Sequence, residues 1–189
     1  LIKKHNRIIF NGNNYAPEWV EEAARRGLKN LPTSVDAIPM LVEDKNIKLF
    51  TKHGVYTETE LRSRCEILLE NYSKVIRIEA LTMLDMSAKE IMPAVNKFLA
   101  DTSAAAIAVK NVVAAADCTM QESIIAEVSA LLAETYKATK ALQAAVDGAE
   151  EHEENVQGAA IYYRDQVLPK MTDLRTVADK LEVLVGKTY

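Results

Sequence analysis

The side chains best suited to chemistry in this sequence are three histidines, two cysteines and one run of acids, and their spacing limits what they could do. A di-iron site in a helical bundle needs Glu-x-x-His pairs whose carboxylates face inward. The residues three positions before His5, His53 and His152 are Ile2, Phe50 and Ala149, so that pattern is missing, as is His-Glu-x-x-His. The run Glu150, Glu151, His152, Glu153, Glu154 could offer oxygens to a hard cation. Its place at the expected start of a helix gives a simpler account, because acids there oppose the positive end of the helix dipole. Cys65 needs a neighbouring general base to act as a nucleophile, and no histidine lies near it on its helix. Arg62 and Arg64 fall on flanking faces. Cys65 and Cys118 read as small buried thiols of a reducing compartment rather than a disulfide framework. The residues by themselves present no catalytic, cofactor-binding or metal-binding constellation.

The elements that would have to position any such site are helices. The chain has 189 residues and a formal net charge of −4, with six glycines and five prolines. Gly12, Gly27, Gly54, Pro17, Pro32 and Pro39 all lie before Val55, whereas Val55 to Asp147 contains no glycine and only Pro93. Sheet turns draw on Gly, Asn or Pro at short intervals, so a β-sandwich or barrel across the middle is excluded, as is a Gly-rich phosphate loop there. No apolar run is long enough to span a membrane: the stretch around Ala104 to Ala116 is short and broken by Lys110 and Asn111. The acidic balance argues against nucleic acid as a partner, since phosphate neutralisation needs clustered Lys and Arg. Residues 1–54 carry nine basic and six acidic groups, residues 55–147 nine and thirteen, and residues 148–189 five and eight.

The pattern predicts a mainly α fold, an antiparallel bundle of long helices preceded by a short mixed segment of small helices and loops. Residues 1–54 form that segment. Pro17 opens one short helix and Gly27 closes it after Arg25 and Arg26, and a second runs near Asp36 to Glu43 with Pro39 in its first turn. Residues 55–189 form the bundle, with helices at about 57–86, 87–116, 119–147 and 150–186. Thr57 with Glu60, Ser87 with Glu90 and Thr119 with Glu122 all have capping-box spacing, so each is expected to start a helix. The first stripe is Leu61, Cys65, Leu68/Leu69, Tyr72, Ile76, Ala80 and Met83; the second is Ile91, Val95, Phe98, Thr102, Ala105, Val109 and Val112. The third is Ile124, Val128, Leu131, Thr135, Ala138, Leu142 and Ala145, and the last runs from Ala160 through Tyr163, Val167, Leu174, Val177 and Leu181 to Leu184. All four are read as core. A break or kink is expected between Met86 and Pro93, a left-handed stop at Gly148, and a kink at Pro169. The alanine-rich seams, such as Ala104 to Ala106, suit close helix approach.

The run KLFTKHGVYTETELRSRCEILLENYSKVIRIEALTM, Lys48 to Met83, resembles a segment near the C-terminus of the type III glutamine synthetases. So do RIIFNGNNYAPEWVEEAARRGL (Arg7 to Leu28) and the region around Ile91-Met92-Pro93-Ala94, with Cys65 standing where an aromatic is more usual. The resemblance implies a parent enzyme that makes glutamine from glutamate, ammonia and ATP by way of a phosphorylated carboxylate, with Mg or Mn offsetting charge on the transferring phosphoryl group. It implies that the metal and nucleotide ligands lie in a catalytic domain before this region, and none maps onto a residue of this chain. A chain opening on Leu1 rather than Met is expected to be a piece of such a protein, inactive alone. Its expected partners are its own catalytic domain and other subunits of a cytoplasmic homo-oligomer. The competing expectation is a free-standing helical interaction or signalling bundle without catalytic activity.

Overall fold

The computed structural model describes residues 1–6, 9–152 and 155–189, and among them every regular element is helical. Two compact units are present, Leu1–Arg62 and Ser63–Tyr189, and the division falls inside the long helix Glu58–Met86.

The first unit is built from short pieces: α1 (Ile2–His5), α2 (Pro17–Arg25), α3 (Ser34–Ala37) and α4 (Asp44–Lys52), followed by the start of α5 (Glu58–Met86). Pro17 sits in the first turn of α2, where its missing N–H costs nothing. The chain leaves that helix through Gly27 at φ +73°, a left-handed backbone that side-chain-bearing residues avoid. The predicted helix over Asp36 to Glu43 is instead two pieces. The Thr33 hydroxyl accepts the Asp36 N–H and starts α3, and a 3₁₀ turn over Ile38–Val42 takes Pro39 into its first turn. Ala23, Val35, Ile47 and Leu61 are the buried apolar residues among those described in this unit. Around them the Phe10 and Trp19 rings meet at 4.8 Å, and an Arg26 guanidinium N–H donates to the Ile9 carbonyl at 2.7 Å.

At Thr57 the capping box forms as the spacing predicts. The Thr57 N–H donates to a Glu60 carboxylate oxygen (2.8 Å), and the Glu60 N–H donates to the Thr57 hydroxyl (3.3 Å). Gly54, at φ +64°, has just ended α4, so the backbone is free to begin a new helix.

In the second unit α5 passes without a break through a π-turn (Ser87–Ile91) into α6 (Met92–Val112); α7 (Thr119–Asp147) returns, and the chain finishes in α8 (Val156–Tyr162), a second π-turn (Tyr163–Val167) and α9 (Leu168–Leu184). Two apolar cores lie along α7. One gathers Ile76, Ala80 and Leu84 of α5, Leu142 and Val146 of α7, Tyr163 and Val167 of the second π-turn, and Met171 and Leu174 of α9. The other joins Val95 of α6, Val128 of α7 and Leu181 of α9. Leu142 meets the start of α9 and Val128 its end, so α7 and α9 run antiparallel.

Several expected helix boundaries are corrected. Ser87 starts nothing: it is 1% exposed, and its hydroxyl lies 2.8 Å from that of Thr139, which in turn bonds the Thr135 carbonyl. The helix continues because Ser87 falls on the core face, where a cap would have to unwind packed structure. Each π-turn ends two residues before a proline, Pro93 or Pro169, and closes with an i to i+5 bond, Met92 N–H to Ser87 C=O and Leu168 N–H to Tyr163 C=O. A proline ring crowds the carbonyl four residues back and offers no N–H to it; one wider turn just upstream relieves both without ending the helix. Thr119 does not cap α7 with Glu122 either. Asp117 accepts both the Thr119 N–H (2.9 Å) and its hydroxyl, and Glu122 is held by Lys110 across the hairpin. Gly148 has φ −66° and leads into a 3₁₀ turn, Gly148–His152, so it is no left-handed stop. A Cβ there would sit 2.5 Å from the Tyr162 hydroxyl, so a larger residue would require the tyrosine's end to shift. The helix predicted for 150–186 is therefore four elements, the first α-helical one starting at Val156 under the Asn155 side chain, which accepts the Gly158 N–H at 3.0 Å.

The first and third stripes and the last are core-facing, with Leu69 rather than Leu68 inward. The second is not so throughout. Val95 is buried, but Ala105, Val109 and Val112 are exposed and Ala106 is the inward residue.

Candidate functional site

The residues singled out for chemistry stay apart. His5 ends α1, His53 follows α4, and His152 ends the 3₁₀ turn, where its ring stacks on Tyr162 at 4.5 Å. Glu150 and Glu151 belong to that turn rather than to a helix start, which corrects the helix-dipole account; Glu153 and Glu154 lie outside the described residues. Among the described residues no three His, Cys, Asp or Glu side chains converge as metal ligands, so the donor set needed by a catalytic Mg or Mn is not assembled from them. Cys65 and Cys118 are buried free thiols, and burial, with Glu66 next in sequence, pushes the Cys65 thiol up, away from the reactive thiolate. Among the described residues no helix is long and apolar enough to cross a membrane.

The concave surfaces are likewise poor in chemistry. A shallow groove of about 660 Å³ between α6 and α7 is lined by Met92, Pro93, Leu99, Leu132 and Tyr136 with little that titrates. A smaller hollow of about 280 Å³ lies between α5 and α8, with Glu70 and Lys74 at its edge, already paired at 2.9 Å. A third, about 290 Å³, lies under the C-terminal turn, where the Tyr189 hydroxyl donates to Asp101 (2.8 Å) and Lys97 Nζ stands 4.8 Å from the ring centre. The hydrogen bond from Lys97, with that from Tyr189, holds the Asp101 carboxyl below its usual range. These are exposed ion pairs that tie helices and tail together, and such pairs contribute little each. None of the hollows sets a nucleophile beside a base.

Comparison with known proteins gives the setting of these helices. Residues 1–110 match the family model described as the glutamine synthetase C-terminal domain. The chain belongs to this family. It is 40% identical over 185 residues to a glutamine synthetase of Butyrivibrio fibrisolvens, covering 98% of this chain and 26% of that protein. It is 29% identical over 190 residues to the type-3 glutamine synthetase of Dictyostelium discoideum, covering 96% and 25%. A glutamine synthetase of Bacteroides fragilis is 26% identical over 179 residues. The chain thus spans about a quarter of the length of the curated relatives it matches. The Lys48 to Met83 run on which the family resemblance rests occupies α4, the Thr57 cap and most of α5. Inside this glutamine synthetase C-terminal domain, then, the sequence that carries family identity builds a cap and a core-facing helix whose outer side borders the hollow at Glu70 and Lys74.

Proposed function

We propose that this chain is the C-terminal helical part of a glutamine synthetase and makes no bond itself. Its work is structural: it completes the catalytic part of its own subunit and packs subunits of a homo-oligomer in the cytoplasm. The observation that carries this reading is the family match over residues 1–110, set beside nearly complete coverage of this chain and one-quarter coverage of its relatives. ATP and Mg or Mn belong, on this reading, to the rest of the parent protein. There they would activate the glutamate carboxylate and offset charge on the transferring phosphoryl group. The dispersed histidines and protected thiols described above fit a scaffold with no chemistry of its own.

Two measurements test it. Supplied with glutamate, ammonia, ATP and Mg, the 189-residue chain is expected to form no glutamine; ATP-dependent formation overturns the reading. Removal of this region from the B. fibrisolvens relative is expected to reduce the mass of its assembled particle or the yield of folded enzyme. Full activity and unchanged assembly after that removal would refute the structural role.

A further inference from the structure

The segment that follows α9 turns back onto α6. The backbone leaves the helix at Val185 with φ −82° and ψ 136°, the Val185 N–H still bonded to the Leu181 carbonyl at 2.9 Å. A turn closed by the Tyr189 N–H on the Gly186 carbonyl (3.1 Å) then brings the Tyr189 ring to α6. Three α6 side chains receive it. The Tyr189 hydroxyl donates to Asp101, the ring meets Phe98 edge-on at 5.4 Å, and Lys97, itself donating to Asp101 at 2.6 Å, stands over its face. Residues 97, 98 and 101 share one side of the helix, so a single ring engages all three. Gly186, Lys187 and Thr188, between helix and ring, are exposed. Beside this span lies the hollow of about 290 Å³, walled on its apolar side by Ile91, Ala94, Val95, Leu181 and Val185.

We propose that Gly186–Tyr189 is a strap that opens and closes as one piece over this hollow, with the Tyr189 side chain as its latch on α6. Two observations separate it from a frayed helix end. A frayed end leaves its side chains in water, whereas here the hydroxyl, the edge and the face of one ring are each matched to a different partner. The span also does not fill what it covers. A segment that served only to finish the core would press an apolar side chain into the remaining space, as interiors do. The core beneath stands without the strap: Val95 and Leu181 are buried with Val128, and Ile91, Leu131 and Leu184 pack around them. Opening therefore breaks the latch contacts and little else. Such exposed contacts contribute modestly, and segments with few buried groups open locally without the rest of the chain unfolding. In the open form Ile91 and Val185, half-buried when the strap is closed, face solvent.

Methyl and amide NMR of the 189-residue chain, with a neutral gadolinium chelate as the solvent probe, tests the inference. Tyr189→Ala is expected to increase the chelate's broadening of the Ile91 and Val185 methyls about twofold or more, with Leu142 unchanged. Tyr189→Phe, which loses only the hydroxyl, should give a smaller increase. Adding Tyr189→Phe to Asp101→Ala should change nothing further, because both remove the same hydrogen bond. Protection of the Val185 amide, bonded within α9, should survive in every variant. Equal broadening in Tyr189→Ala and the unmodified chain overturns the inference. Loss of Val185 amide protection in Tyr189→Ala also overturns it, since the moving piece would then be the helix end. Broadening that spreads to Leu142 would make Tyr189 part of the core and overturn it as well.

Discussion

Around Leu142, α7 is enclosed by α5, α9 and the second π-turn, whereas around Met120 it has only the end of α6 beside it. Both regions carry apolar residues at helical spacing, and both read from sequence as core. The difference is what stands opposite. Near Leu142 three further elements close over the helix; at the hairpin end Cys118 is buried against Ala106, but Val112 is 85% exposed. Amphipathic spacing announces that a helix has a face to cover, and says nothing about which molecule covers it.

The largest way to sharpen that contrast is to cut back one side chain at each end. Leu142→Ala should destabilise the chain by about 3 kcal/mol, read from urea unfolding, because a fully enclosed leucine leaves a cavity. Val112→Ala should change it by less than about 0.5 kcal/mol under monomeric conditions. Comparable losses at the two positions would mean that the hairpin end is covered in solution. A smaller effect belongs to the layer between the two cores. Ser87→Ala should cost about 1 kcal/mol, since Thr139 keeps its bond to the Thr135 carbonyl and only one buried hydrogen bond is lost. If Ser87 were a helix cap, the same substitution would instead fray α6 and lower helicity.

At the Thr57 cap, Thr57→Ala should cost about 1 kcal/mol at most, with loss of protection at the first amides of α5 in hydrogen exchange. The smallest expected effect is a pH dependence at the hairpin. The Thr119 side-chain and backbone hydrogen bonds lower the Asp117 carboxyl below its ordinary value. Its contribution is therefore fully present above about pH 4 and is lost as pH falls through the still lower value of the folded chain. Asp117→Asn should remove that component from the acid limb of an unfolding profile; an unchanged limb would show that the carboxylate is not what holds Thr119.

These contrasts also mark how far the sequence could be read. Thr57 with Glu60 and Ser87 with Glu90 have identical spacing, and only the first is a cap. The deciding signal was present: Gly54 interrupts the chain before Thr57, while Ser87 follows Ala80 and Leu84 on one uninterrupted inward face. The start of α7 at Thr119 follows the spacing, but the box does not form, because Asp117 two residues earlier takes both the Thr119 N–H and its hydroxyl. The three histidines stand on α1, after α4 and in the 3₁₀ turn, since residues so distant along a helical chain converge only if the topology folds their elements together. At the hairpin the spacing puts Ala105, Val109 and Val112 in the core stripe, yet they are exposed, because periodicity carries no record of which stripe the fold leaves bare.

The two π-turns each insert one residue into an otherwise α-helical path, so the faces before and after them are tuned to different angular origins. Deleting one residue from Ser87–Ile91 should close the path into an ordinary α-turn and leave Val95 against α7 and α9, because the five-residue π-turn covers about the rotation of four α-helical residues. Deleting a second residue would instead turn everything downstream by about 100° and swing Val95 off its core. The turns act as phase correctors, each absorbing one residue that would otherwise rotate the inward face away.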